Sequence, residues 1–192
     1  QEVLLSTDFS NWQDNPTYPA GTFVFVPPPG SKQMELPKQP SPDSEAFKLE
    51  GKNAPLFSLP TTDGGIFNLA DSKGKEVVVL DFWTTWCSPC RASLPIVAQT
   101  VKSMAGQGVR LVAVDLNEKP KDVNQFLKTQ GLDIKAAIDP DGHVCSAYGV
   151  QGIPQTVVIG KDGKVKFVHI GGNPNMKVVL TEELKMVLAG KK

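Results

Sequence analysis

Val77-Val78-Val79-Leu80-Asp81-Phe82-Trp83 is an apolar run that hands over, four residues later, to Cys87-Ser88-Pro89-Cys90. The run reads as a buried strand, and a helix is expected to begin at the cysteines. A strand-to-helix junction sets the first cysteine over the unpaired N–H groups and positive dipole end of the helix. A thiol in that place loses its proton more readily and becomes a nucleophile near neutral pH. Cys90, one helical turn on, is within disulfide reach of Cys87. The arrangement suits a disulfide that is made and broken.

The chain has 192 residues, enough for one domain plus an appendage or for two small domains. Apolar content of 40% and charged content of 21% are ordinary for a folded chain, so disorder is not indicated. Twenty basic residues balance twenty acidic ones, and no basic tract with interleaved aromatics occurs, which argues against a nucleic-acid-binding face. The longest apolar run is far too short to cross a bilayer. The first residue is Gln1, without an initiator Met or an apolar leader, which leaves both a removed leader and a longer parent protein open. Three cysteines are too few, and odd in number, for a scaffold held by structural bridges.

Residues 1–50 differ in texture from the rest. Pro27-Pro28-Pro29, Pro37, Pro40 and Pro42 mark an irregular arm or linker, with one short strand expected at Thr22-Phe23-Val24-Phe25-Val26. Beyond Gly51 the pattern becomes regular. Leu56–Leu59 and Ile66–Leu69 flank Asp63-Gly64-Gly65 as a hairpin. After the central strand, a helix containing Pro95 should kink there, and Gly106 and Gly108 should close it. A second buried strand is expected at Val109–Asp115, then a helix from Pro120 to Gly131. Asp139-Pro140-Asp141-Gly142 forms a turn before a short helical piece around His143–Tyr148. Thr156–Ile159 and Val165–Ile170 pair across Lys161-Asp162-Gly163, and an amphipathic helix covers about 174–189. The result is an α/β fold, a mixed sheet with helices on both faces.

Several separated features resemble one superfamily. Trp86-Cys87-Ser88-Pro89-Cys90-Arg91, Asp81 before the first cysteine, Pro95 after the second and Gly152-Ile153-Pro154 before a strand are similar to the thioredoxin-like pattern. Ala54-Pro55-Leu56-Phe57-Ser58-Leu59-Pro60, Gly74–Trp83, and Asp139-Pro140-Asp141-Gly142 followed by Ala147-Tyr148-Gly149-Val150 look like the TlpA/ResA-type thiol–disulfide oxidoreductases. The resemblance covers roughly residues 51–190. It implies a thioredoxin-like domain over 51–192 that exchanges a disulfide with protein substrates and an unidentified redox donor, without cofactor or metal. It also implies a bacterial, extracytoplasmic setting, often with membrane anchoring upstream. The implied catalytic residues are Cys87, Cys90 and Asp81, with Trp86, Ser88, Pro89, Ile153 and Pro154 at the substrate surface.

The residues allow alternatives at several points. A Cys-x-x-Cys pair can also be a static bridge or half a zinc site, but Cys145, His143 and His169 stand at no recognised ligand spacing. Asp81, inside an apolar strand, either exchanges protons with Cys90 through water, turns to solvent, or is a hydrogen-bonded structural acid. Related proteins often carry Asn there. The resemblance makes Pro154 a cis proline that sets Ile153 backbone groups beside Cys87, where a substrate segment could pair as a strand. Trp86 is expected on the exposed lip of the site. Ser93 stands where some relatives have a glutamate three residues after the second cysteine. Cys145 reads as core, and neither histidine is given a role.

Two other functions compete. Thr84, three residues before Cys87, is half of a P-x-x-x-T-x-x-C peroxidatic pattern, but Leu80 replaces its proline. A binding module built on the same scaffold would use the N-terminal arm. Residues 22–36 are similar to the closing strand of LolA-like lipoprotein-carrier domains, so residues 1–50 could be the tail of such a domain. By analogy with thioredoxin, Ile153 before the proline and an acid at position 81 lean toward the reductase direction.

Overall fold

The computed structural model describes Ser10, residues 16–31 and residues 44–192. The chain divides into two units, Gln1–Pro37 and Lys38–Lys192. In the first unit, the strand expected at residues 22–26 does not form. Turn bonds join Thr22 N to Pro19 O (3.1 Å) and Val24 N to Gly21 O (2.9 Å), and the Tyr18 and Phe23 rings meet edge to face at 4.8 Å. Phe23, Val24, Phe25 and Val26 are exposed. Alternating apolar residues become a strand only when a neighbour accepts their backbone groups, and Pro27-Pro28-Pro29 offers no donor to extend such a ladder.

The second unit is built around β3 (Val77–Trp83), whose seven residues are all buried. It pairs in parallel with β4 (Val109–Leu116) and antiparallel with β6 (Gln155–Ile159). The five strands run in the order β5-β4-β3-β6-β7, with β5 (Ala136–Asp139) parallel to β4 and β7 (Val165–Ile170) antiparallel to β6. The hairpin β1 (Ser58–Pro60) and β2 (Ile66–Asn68) forms its own two-stranded sheet, as the Asp63-Gly64-Gly65 turn predicts. Strand β5 escaped the sequence reading. Its Ala136-Ala137 core has weak strand preference, and only burial on both sides makes it a strand.

The period-two alternation of β3 sorts the two faces. Val77, Val79 and Trp83 pack beneath α1 (Ser88–Met104), α2 (Pro120–Thr129) and α4 (Met176–Leu188). Val78, Leu80 and Phe82 pack with the hairpin, the short helix α3 (His143–Ala147) and Tyr148. Pro95 lies within α1, which nevertheless continues to Met104; a 3₁₀ turn and left-handed Gly108 (φ 82°) then lead the chain into β4.

Residues 44–50 belong to this packing. Ala46 is fully buried in the face shared with Tyr148. Gly149 (φ +60°) permits the approach, since a Cβ there would lie 2.7 Å from the Ala46 backbone nitrogen. Tyr148 ties this face together. Its ring meets Phe57 and Phe82, and its hydroxyl donates to the Pro55 carbonyl at 2.9 Å. Tyr148→Phe therefore removes one buried hydrogen bond without opening a cavity. Urea unfolding should report a loss of about 1 kcal/mol with an unchanged m-value.

Candidate active site at the amino end of helix α1

Cys87 and Cys90 are joined as a disulfide at the junction between β3 and α1. Cys87 is the N-cap of α1, and its sulfur accepts the Cys90 backbone N–H at 3.2 Å. Pro89 falls in the first turn, where a missing N–H costs the helix nothing. Both cysteines are buried, Cys90 completely among Trp83, Leu94, Val123 and Leu127, and Cys87 at 5% exposure beside the loop before β6. Trp86 is 73% exposed beside Cys87, and Ser88 and Pro89 are exposed too.

The second wall comes from the loop before β6. The Ile153–Pro154 peptide is cis, and the Ile153 carbonyl oxygen lies 3.9 Å from the Cys87 sulfur. This loop is held at both sides: Gly171 N–H donates to the Pro154 carbonyl at 2.7 Å, and Gln155 Nε2 donates to the Tyr148 carbonyl at 3.0 Å. Gln155 is itself fully buried. Residues 66 positions apart in sequence are thus brought to one sulfur.

Asp81 is fully buried in β3, opposite Ala113 of β4 and Thr156 of β6. Thr156 Oγ1 donates to Asp81 Oδ1 at 2.8 Å, while Oδ2 has no hydrogen-bond partner among the described residues. Burial pushes the carboxyl up to about 7, and the Thr156 bond only partly offsets that. The solvent-turned alternative for Asp81 is thereby excluded; the Thr156 bond fits a structural acid, and the carboxyl raised toward neutrality fits a proton exchanger.

A second buried acid was not singled out in the sequence. Asp115, at the end of β4, is pushed up to about 8 by burial and by the neighbouring Glu118 carboxyl. Its Oδ1 accepts the Glu118 N–H at 3.1 Å. Glu118 in turn accepts from Thr85 twice, from the backbone N–H and from the hydroxyl, each at 2.6 Å. The signal was present: Val112-Ala113-Val114-Asp115 repeats the apolar-strand-then-acid pattern of Val79-Leu80-Asp81.

The other candidates scatter. His143 Nδ1 lies 2.6 Å from Asp141, and His169 pairs with Glu183 of α4 at 2.8 Å. Cys145 is buried, and burial with the Asp139 carboxylate pushes its thiol far up, consistent with a core residue. Ser93 is buried, its hydroxyl without a hydrogen-bond partner among the described residues.

Known proteins share this arrangement. The sequence profile of the AhpC/TSA family matches residues 51–168. The thiol-disulfide oxidoreductase ResA of Bacillus subtilis (strain 168) is 41% identical over 122 residues, covering 64% of this chain and 68% of the relative. Among solved structures, a thiol:disulfide interchange protein of the thioredoxin family from Chlorobium tepidum TLS superposes with a TM-score of 0.62 at 32% identity. That match covers 71% of this chain and 95% of the other. A secreted Mycobacterium tuberculosis disulfide oxidoreductase, described as homologous to E. coli DsbE, matches with a TM-score of 0.57 at 26% identity, over 67% and 94% of the two chains. With the paired cysteines capping α1 and the cis proline beside them, the chain belongs to the AhpC/TSA family and, within it, to the ResA-type thiol–disulfide oxidoreductases of thioredoxin fold.

Proposed function

We propose that the chain reduces protein disulfides outside the cytoplasm of a bacterium, using Cys87 as nucleophile and Cys90 as resolving thiol. The observation that carries this reading is the different place of the two sulfurs: Cys87 caps the helix N-terminus and accepts the Cys90 N–H, while Cys90 lies inside the first turn, fully buried. In the reduced protein, the Cys90 N–H and the helix dipole favour the Cys87 thiolate. That thiolate attacks one sulfur of a substrate disulfide; an S–S bond forms between Cys87 and substrate, and the other substrate sulfur leaves as a thiolate. Cys90 then loses its proton and attacks Cys87, giving the Cys87–Cys90 disulfide and a fully reduced substrate. A protein donor returns the two electrons.

Trp86, Ser88 and Pro89 flank Cys87 and Ile153 offers its backbone, so an extended substrate segment has both an apolar lip and hydrogen-bond groups to lie against. Asp81, ionised for part of the time at pH 7, takes the Cys90 proton through water. An extracytoplasmic place agrees with the M. tuberculosis relative being a secreted protein, and no helix of the described residues is long and apolar enough to cross a membrane.

Trapping with a disulfide-bonded protein such as insulin tests the assignment. Cys87→Ser should abolish turnover, and Cys90→Ser should accumulate a covalent adduct through Cys87. Peroxide consumption by the Cys90→Ser protein, without adduct, would instead favour the peroxidatic reading suggested by Thr84. The reductase direction requires a Cys87–Cys90 potential near that of thioredoxin, about −270 mV; a value near about −120 mV would reverse it.

Asp81→Asn tests the proton role by two independent readouts. Resolution of the adduct should slow by about 10- to 100-fold at pH 7. Stability should also respond to pH. The buried carboxyl holds its proton up to about 7, whereas in the unfolded chain it is released near about 4. Over that window the folded state binds more protons, so stability falls as pH rises, by up to ~1.4 kcal/mol per unit from this group, and levels off above pH 7. Asp81→Asn should lose that part of the slope in urea melts between pH 4 and pH 8.

A further inference from the structure

The loop entering Cys87 is held from one side by a carboxylate that the exchange chemistry described above does not use. Glu118 sits in the connection between β4 and α2 and is partly buried. Its two oxygens accept from the two donors of one residue: Oε2 from Thr85 N–H and Oε1 from Thr85 Oγ1, both at 2.6 Å. A carboxylate gripping two donors of one residue fixes both the position and the rotation of that peptide. Thr85 is two residues before Cys87, so what Glu118 fixes is the backbone that presents Trp86 and the nucleophile.

The connection that carries Glu118 is itself shaped to aim it. Asn117 is the one non-glycine residue with positive φ (59°) among those described, and its N–H donates to the Asp139 carbonyl at 3.0 Å. Asp115 Oδ1 accepts the Glu118 N–H, closing the turn from below. A left-handed asparagine costs some backbone energy, and it turns Glu118 back toward β3 instead of out along α2. Asp115, fully buried beside the Glu118 carboxyl, is held largely neutral at pH 7 by that burial and by its neighbour.

We infer that Glu118 is a positioning residue of the redox site, holding the Thr85-Trp86-Cys87 turn and placing a negative charge close enough to oppose the Cys87 thiolate. Thr85 and Cys87 stand two positions apart, at most about 7 Å between their Cα atoms, so the carboxylate gripping Thr85 belongs to the same turn as the sulfur. Opposing the thiolate raises the thiol's pKa and favours the disulfide form, which makes the reduced pair the stronger donor of electrons. The inference rests on Cys87 being the nucleophile and extends that reading by naming a residue that sets the couple's poise.

The test compares Glu118→Gln, Glu118→Ala and Thr85→Val with the wild type, in full-length protein. Glu118→Gln removes the charge and keeps one acceptor; Thr85→Val removes one donor and keeps the charge. Titrating the reduced proteins by thiolate absorbance at 240 nm should give a lower Cys87 midpoint in Glu118→Gln and an unchanged one in Thr85→Val. The Cys87–Cys90 potential should become more oxidising in Glu118→Gln. In Glu118→Ala, kcat/KM for insulin reduction should fall about tenfold, with Glu118→Gln intermediate, because the turn is no longer fixed. Wild-type titration and wild-type potential in both Glu118 variants would overturn the inference, as would wild-type turnover in Glu118→Ala. If instead the wild type fails to reduce insulin and Cys90→Ser forms no adduct, the proposed reaction falls and not this residue alone. Should Glu118→Ala fail to fold, Glu118→Gln and Thr85→Val still decide the question.

Discussion

The α1 N-terminus docks over the carboxyl end of β3, and the redox site exists only because it does. Strand β3 is buried along its whole length, so it needs cover on both faces, and α1 supplies one of them by starting within a few residues of the strand's end. That short connection forces the first turn of the helix to open at the carboxyl end of the central strand, with the Cys90 N–H aimed at Cys87. Packing, and not chemistry, thus decides where the reactive sulfur stands. The same packing seals Cys90 among Trp83, Leu94, Val123 and Leu127, one helical turn beyond the cysteine that caps the helix.

Three of the polar groups inside this packing stand around the site. Asp81 and Asp115 stand on neighbouring strands, fully buried, with carboxyls raised into the neutral range by loss of water. Asp81 ties β3 to β6 through the Thr156 hydroxyl, and Asp115 closes the turn that carries Glu118. Gln155 serves differently: fully buried, it bonds the Tyr148 carbonyl and thereby joins the cis-proline loop to the opposite face of the sheet.

Much of this was legible in the residues. The central strand, the helix start at Cys87, the hairpin about Asp63-Gly64-Gly65 and the pairing of β6 with β7 follow from local pattern and turn chemistry. Strand β5 was not legible, because Ala136 and Ala137 become a strand only through the neighbours that bury them. Thr22–Val26 misled for the opposite reason: strong strand preference gives no strand where no partner takes up the backbone groups. Around the site, the two cysteines and the buried acid of β3 could be named from spacing. The grip of Glu118 on Thr85 could not, since it joins residues 33 positions apart through side-chain geometry alone.

A helix end makes one sulfur reactive and leaves its neighbour inert. Alkylation of the fully reduced protein by iodoacetamide, followed across pH with peptide mass spectrometry, separates the two. Label should enter Cys87 first, with a midpoint below the ordinary thiol value of about 8.5, while Cys90 and Cys145 remain unlabelled until the protein is unfolded. Equal labelling of Cys87 and Cys90, or a Cys87 midpoint at or above the ordinary value, would contradict it.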